Sequence, residues 1–353
     1  MLYRIKKWNW SDMQASQKLI IERTTKIEAC SKRIQSIPYT FFEYEADFLI
    51  QKQQNIKAVK PLSKKNFNQK KLFQLALDLD QLAEEGILFS KHYAQTVPCG
   101  PSRASLYTGL YAMNHRSVNN GTPLNARFTN IALEVRKAGY DPTLFGYTDS
   151  SADPREFHHQ DPLLTTYEGL IPGMSSGVTL TDNQRPWIAE LISRGYDHSL
   201  NEYTVYSPVE NYPGAEKRGI TFPPPVYSDE DSSASFLTDQ LLKWLSVRED
   251  ENWFAHLSYL RPHPPWIAPE PYNSMYDPDD VSKPVRMKSL EQEGKQHPLL
   301  KMLLKTIPGK KFFSETYQGL ASETSEKDIL QARATYYGLM TEIDHHLGRV
   351  VSY

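Results

Sequence analysis

Cysteine is nearly absent. Cys30 and Cys99 are the only two in 353 residues. They are too few for a disulfide framework, and their unlike contexts give no reason to pair them. Long apolar runs are absent as well. No stretch approaches the ~20 apolar residues needed to span a bilayer. The N-terminal MLYRIKKWNWSDMQ has no apolar core of the kind a secretory leader needs. No membrane partner is therefore expected, and the default location is cytoplasmic. An excess of one charge is lacking too: 40 basic against 42 acidic residues leave a net charge of −2. Nothing global then calls for nucleic acid or an anionic surface, and local runs such as Lys64-Lys65 and Lys70-Lys71 read as solvated surface. There is no internal repeat and no strong low-complexity tract.

What is present fits a globular protein with a large core: 39% hydrophobic and 23% charged residues. Residues 1–70 are rich in Lys, Gln and aromatics, with weak periodicity. Ala15 to Ile34 reads as a helix, Phe41 to Ile50 as a strand or helix, and Ile56 to Gln69 as a polar linker. No function is assignable to this segment. From Lys71 the pattern sharpens. Leu75, Leu79, Leu82 and Ala83 mark one face of a helix over Leu72–Glu85, which Gly86 ends. A short strand is expected at Ile87-Leu88-Phe89. A helix over Asn130–Lys137 and a strand over Thr143–Tyr147 follow. Helix, turn and apolar strand in succession imply an α/β fold with a parallel sheet covered on both faces. Residues 150–232 form a loop-rich excursion. Ser233 caps a helix running to about Val247, WFAHLSYL (Trp253–Leu260) is a strand, and RPHPPWIAPEPY is too proline-rich for regular structure. A long amphipathic helix runs from about Lys327 to Val350, and the chain reads as though it ends mid-domain.

The stretch PCGPSRASLYTG carries the sharpest chemistry. Pro101 suits a first helical turn because it has no N–H to leave unpaired, and Gly109 suits the end. Cys99 then lies at the positive end of a short helix over Ser102–Thr108, with Arg103 close by. Such a place binds anions and lowers a thiol pKa. On the residues alone, an inert cysteine in a turn remains the other reading.

C-x-P-S-R followed by a T-G pair (Cys99, Pro101, Ser102, Arg103, Thr108, Gly109) resembles the sulfatase signature. LDLDQLAEEGILFSKHYAQTVPCGPSRASLYTG resembles the helix, strand and nucleophile block of that family, and the resemblance covers about Leu72 to Val350. NHRSVNNGTPL, LFGYTD and LRPHPPWIAPEPY are similar to the branch of phosphonate monoester hydrolases and phosphodiesterases. Sulfatases of the commoner type carry a G-K-W-H-like motif where this chain has Gly146-Tyr147-Thr148-Asp149. The resemblance implies an alkaline-phosphatase-like three-layer core with a mixed, mostly parallel sheet, incomplete in this chain. It implies that a formylglycine-generating enzyme converts Cys99 to formylglycine, that Arg103 holds it, and that Asn120, Tyr147, Thr148 and His263 line the pocket for a small-molecule ester substrate. Asn120 and Tyr147 would bond non-bridging oxygens, and His263 would donate to the leaving oxygen or the anion. A homo-oligomer is implied by the same branch.

The family also implies a divalent metal, calcium in sulfatases and manganese or zinc in the phosphonate branch, bound by the formylglycine at 99 and by carboxylates from two other places. Neither carboxylate set is visible. The first would follow an N-terminal strand, where only Asp47 after an aromatic stretch offers itself. The second would be an Asp-His or Asp-Asn pair beyond the last helix. A chain truncated at both ends is expected to be inactive in isolation. Its three readings are a formylglycine hydrolase of sulfate, phosphonate or phosphodiester bonds, a thiolate phosphatase, and a non-catalytic remnant or binding module. The second needs C-x₅-R, whereas Cys99 and Arg103 give C-x₃-R. Weaker signals read as structure: His158-His159 as a solvated loop, Asp78 and Asp80 as helix residues, and His256 as a sheet histidine. His345-His346 read as a helix surface, since adjacent helical residues point apart.

Overall fold

The computed structural model describes residues 77–89, 91–248, 252–314 and 317–353. The expected elements at Ala15–Ile34, Phe41–Ile50 and Ile56–Gln69, with Asp47, lie outside the described residues. The fold is α/β. Its described elements run α1 (Leu77–Glu85), α2 (Cys99–Thr108), α3 (Ala112–His115), α4 (Ile131–Lys137), β1 (Pro142–Gly146), β2 (Ser175–Thr179), α5 (Arg185–Ser193), α6 (Ala215–Arg218), α7 (Ser233–Ser246), β3 (Phe254–Leu257), α8 (Leu290–Gln296), α9 (Pro298–Thr306) and α10 (Glu326–Ser352).

Among the described residues the sheet has three strands in the order β2-β1-β3, and both pairings are parallel. Successive side chains of a strand point to opposite faces, and β1 shows what that does here. Leu144 packs with Tyr107, Ala132, Ile171 and Met174 on the side of α2 and α4. Phe145 packs with Trp187, Leu191, Phe236, Leu237 and Leu241 on the side of α5 and α7. All five residues of β1 are buried. Each large apolar side chain buried in this way contributes roughly 1.5–3 kcal/mol. The two packed faces make three layers around a parallel sheet.

The expected elements and the observed ones differ in three instructive places. The excursion at 150–232 is not all loop, because it contains β2, an edge strand of the sheet. Its sequence, SSGVT, is half exposed and has no apolar alternation to reveal it. Gly177 sits there because a Cβ would come within 2.5 Å of the Phe145 ring. Residues 87–89 form no strand, and Ile87 and Phe89 are exposed. Finally, Ser232 rather than Ser233 caps α7, its hydroxyl accepting from the Ser235 amide.

Helix α10 packs against α1 and α7, and much of its buried face is polar. Gln331 accepts from Arg218 Nε at 2.9 Å, and Thr335 meets Thr221 at 3.1 Å. Asp344 accepts from the Asp78 and Leu79 amides at 3.1 and 2.9 Å. It therefore satisfies the orphan N–H groups of α1 from a different helix. No described helix is long and apolar enough to cross a membrane.

Candidate active site

Parallel sheets place their sites beyond the C-terminal ends of the strands, and here β1 and β3 end side by side. Gly146 closes β1 with φ +114°, and a Cβ on it would lie 2.1 Å from the Ser258 carbonyl oxygen. Only glycine allows that approach. It brings Tyr147, Thr148 and Asp149 next to Ser258, the residue after β3. The N-terminal end of α2 faces the same place. Cys99 is its first helical residue and is partly buried, and Gly109, at φ 69°, is the left-handed cap at its other end.

Arg103 is four residues after Cys99 and so lies on the same helix face. Its Nη1 donates to Ser258 Oγ at 2.9 Å and its Nη2 to the Tyr147 hydroxyl at 3.0 Å. The guanidinium carbon stands 4.4 Å from the centre of the Tyr147 ring, and Nε is 3.9 Å from Asp149 Oδ2. Burial works against the charge on Arg103, but Tyr147, Tyr107 and Asp149 outweigh it and raise the guanidinium above its ordinary range. The pocket therefore carries one fixed cation at every physiological pH. Asn120 enters from the loop after α3: its Oδ1 accepts from the Gly100 amide at 2.9 Å. With the carbonyl end of the amide engaged, Nδ2 is the end that can donate to a ligand.

Two expected residues are placed differently. Thr148 is fully buried and its hydroxyl donates to the Gly169 carbonyl. It ties the 166–169 segment to the end of β1, while the next residue, Asp149, faces Arg103 from a left-handed backbone at φ 56°. His263 is exposed, and its bonds stay in its own loop: its amide to Leu260 and Nδ1 to the Pro264 carbonyl at 2.7 Å. Asp149 and Ser258 were not singled out from the sequence. Asp149 follows the end of an expected strand, whereas Ser258 lay inside the strand expected over Trp253–Leu260, which in the structure ends at Leu257.

Three buried or half-buried titrating groups lie near Asp149, Cys99 and Arg103. Glu168 is pushed up to about 7 by burial, with Asp182 and Asp149 adding to the shift and the Asp182 amide opposing it. Tyr167 is pushed up to about 12 by burial, then by Glu168, Asp149, Asp182 and Cys99. His256 is pushed down to about 4 by burial and by Arg103. Its Nε2 meets the Tyr107 hydroxyl at 3.4 Å, so it is a sheet histidine packed behind the arginine.

The metal implied by the resemblance does not fit the described residues at Cys99. Among the described residues, the one group of His, Cys, Asp and Glu donors close enough to share an ion is Asp229, His345 and His346, and it does not include Cys99. The nearest acid to the arginine, Asp149, is paired with that cation instead.

The sulfatase family model matches residues 70–353. This chain belongs to the sulfatase family. It is 38% identical over 278 residues to the multifunctional alkaline phosphatase superfamily protein PehA of Trinickia caryophylli, covering 78% of this chain and 53% of the relative. It is 24% identical over 284 residues to an arylsulfatase of Clostridium perfringens, covering 77% and 52%. Among solved structures, the phosphonate monoester hydrolase of Agrobacterium radiobacter superposes with a TM-score of 0.73 at 44% identity, and that of Silicibacter pomeroyi with 0.72 at 44%. Each match covers 78% of this chain and 53% of the neighbour. The chain thus spans about half the length of the relatives it matches.

Proposed function

We propose that the Cys99 pocket belongs to a hydrolase of phosphonate or phosphate ester bonds, with sulfate esters as the other substrate class of the family. Its nucleophile is a formylglycine made from Cys99 by a formylglycine-generating enzyme. The observation that carries this reading is the fixing of Arg103, between Tyr147, Ser258 and Asp149, one helical turn from Cys99. The 44% identity to two phosphonate monoester hydrolases favours phosphorus over sulfur.

Formylglycine would supply a hydrated aldehyde, whose hydroxyl attacks the ester. The chain's own groups bind and orient. Arg103 neutralises the non-bridging oxygens of the anion, and its three anchors hold it in place before substrate arrives. Asn120 Nδ2 and the Tyr147 hydroxyl add donors. The N-terminus of α2 adds the positive dipole end of a helix of 10 residues. A second reading, an anion-binding remnant, draws on the lack of a metal donor set around Cys99 among the described residues.

The test is turnover of an aryl phosphonate monoester, a phosphodiester and an aryl sulfate by chain co-produced with a formylglycine-generating enzyme. Hydrolysis lost in Cys99→Ala, and reduced about 10²–10³-fold in Arg103→Lys, supports the proposal. Anion binding without any turnover would establish the remnant instead.

A further inference from the structure

His345 and His346 are adjacent on α10, yet the structure does not send them apart. Their rings lie nearly parallel, at 23° with centres 5.2 Å apart. Both reach the same carboxylate: His345 Nδ1 is 3.6 Å from Asp229 Oδ2, and His346 Nε2 is 3.2 Å from Asp229 Oδ1. His346 is 1% exposed, so the expected helix surface holds only for His345. All three donors fall within 4.8 Å of one another. The edge of a tetrahedral zinc site with ligand distances of 2.0–2.2 Å is roughly 3.4 Å, close to both observed spacings.

A second observation points to the same place. Glu342 is 1% exposed, and its Oε2 has no hydrogen-bond partner. It lies three and four residues before the two histidines, which puts it on their helix face. An unpartnered buried carboxylate oxygen is costly, and a cation beside His346 would satisfy it.

We propose that Asp229, His345 and His346 hold a zinc ion, separate from the Cys99 pocket, with the buried Glu342 carboxylate beside them. Two imidazoles and a carboxylate make a donor set that zinc accepts, and the nearby Glu342 carboxylate adds negative charge beside the ion. With three protein ligands on two elements and Glu342 on the same helix face available to close the fourth position, the site is a structural one. It would tie α10 to the turn Asp229–Asp231 that leads into α7. The surroundings can adapt. Tyr272, whose hydroxyl is 2.9 Å from His345 Nδ1, also neighbours Asp229 and can turn to that carboxylate as a supporting bond. Arg349 Nη1, 3.2 Å from His346 Nδ1, can pass to Ser235 Oγ at 3.3 Å when the ring proton moves to Nδ1. The half-exposed His345 gives the ion a way in.

The test uses the full chain as Cys99→Ala, so that no thiol or formylglycine at 99 takes metal and the outcome is independent of the hydrolase proposal. After chelator treatment, one equivalent of Zn²⁺ should bind and raise the melting temperature, and Co²⁺ should give the visible bands of a four-coordinate site. His345→Ala, a half-exposed position that the fold tolerates, should lose the bound equivalent and the melting shift. Glu342→Gln should weaken binding while keeping the shape of the side chain. No uptake, or one equivalent retained by both His345→Ala and Asp229→Asn, would overturn the proposal and leave a plain His–Asp hydrogen bond.

Discussion

Arg103 shows how much of this site is decided by single side chains. A guanidinium on the face of a short helix would ordinarily wander in solvent. Here Ser258, Tyr147 and Asp149 hold three sides of it. Ser258→Ala is expected to leave the fold intact and to weaken binding of vanadate or phosphate by about 10- to 100-fold, as expected for a lost bond to a charged group of about 1.5–3 kcal/mol. Titration calorimetry reads this directly. Glu168 supplies a pH signature. Its folded-state pKa is raised to about 7, so the folded chain binds more protons than the unfolded chain between its ordinary range and that value. Its contribution to stability therefore falls as pH rises through that window. Glu342, also raised to about 7 by burial, acts in the same direction, while His256, lowered to about 4, acts in the opposite one. The difference between variant and parent isolates one group. Glu168→Gln should match the parent's melting temperature near pH 5 and exceed it near pH 8. Equal differences at both values would remove Glu168 as a titrating group. At this scale the sequence was legible where a motif spoke. Cys99 and Arg103 were readable, and so were Asn120 and Tyr147. Asp149 and Ser258 were not, because their roles come from two strands ending side by side, which no local pattern records.

At the scale of elements, local chemistry marked most helices. The Gly109 cap, the turn before α2 and the apolar stripe of α7 all left signals in the sequence. Strand β2 left little, since in Ser-Ser-Gly-Val-Thr the small residues give no alternation and Val178-Thr179 is too short a β-branched stretch to stand out. Residues 87–89 misled in the opposite direction, because three apolar residues in a row need a neighbouring strand before they become one. Two elements depend on contacts far away in sequence. The N-terminus of α1 is capped by Asp344 of α10 across 265 residues. Asp344→Ala should cost about 1 kcal/mol and raise hydrogen exchange at the Asp78 and Leu79 amides. Unchanged protection there would show that α1 stands without this bond. Gly146→Ala should do more, since strand β1 would have to move away from Ser258. A melting temperature within error of the parent would contradict the close approach drawn from the structure.

For the whole molecule, the parallel sheet with cores on both faces positions everything else. Leu144 and Phe145 anchor opposite layers, and the strand that carries them ends at Gly146, just before Tyr147. The α/β class and its covered sheet were readable from the order of helix, turn and apolar strand. The meeting of α2, β1 and β3 at one end was not, because topology lies in long-range contacts. The central claim is that this end holds a modified nucleophile. The most direct measurement is tandem mass spectrometry of the peptide around Cys99, from chain co-produced with a formylglycine-generating enzyme and a control substrate peptide. Formylglycine at position 99 is the expected result. A cysteine thiol at 99, with the control peptide fully converted, would contradict the claim.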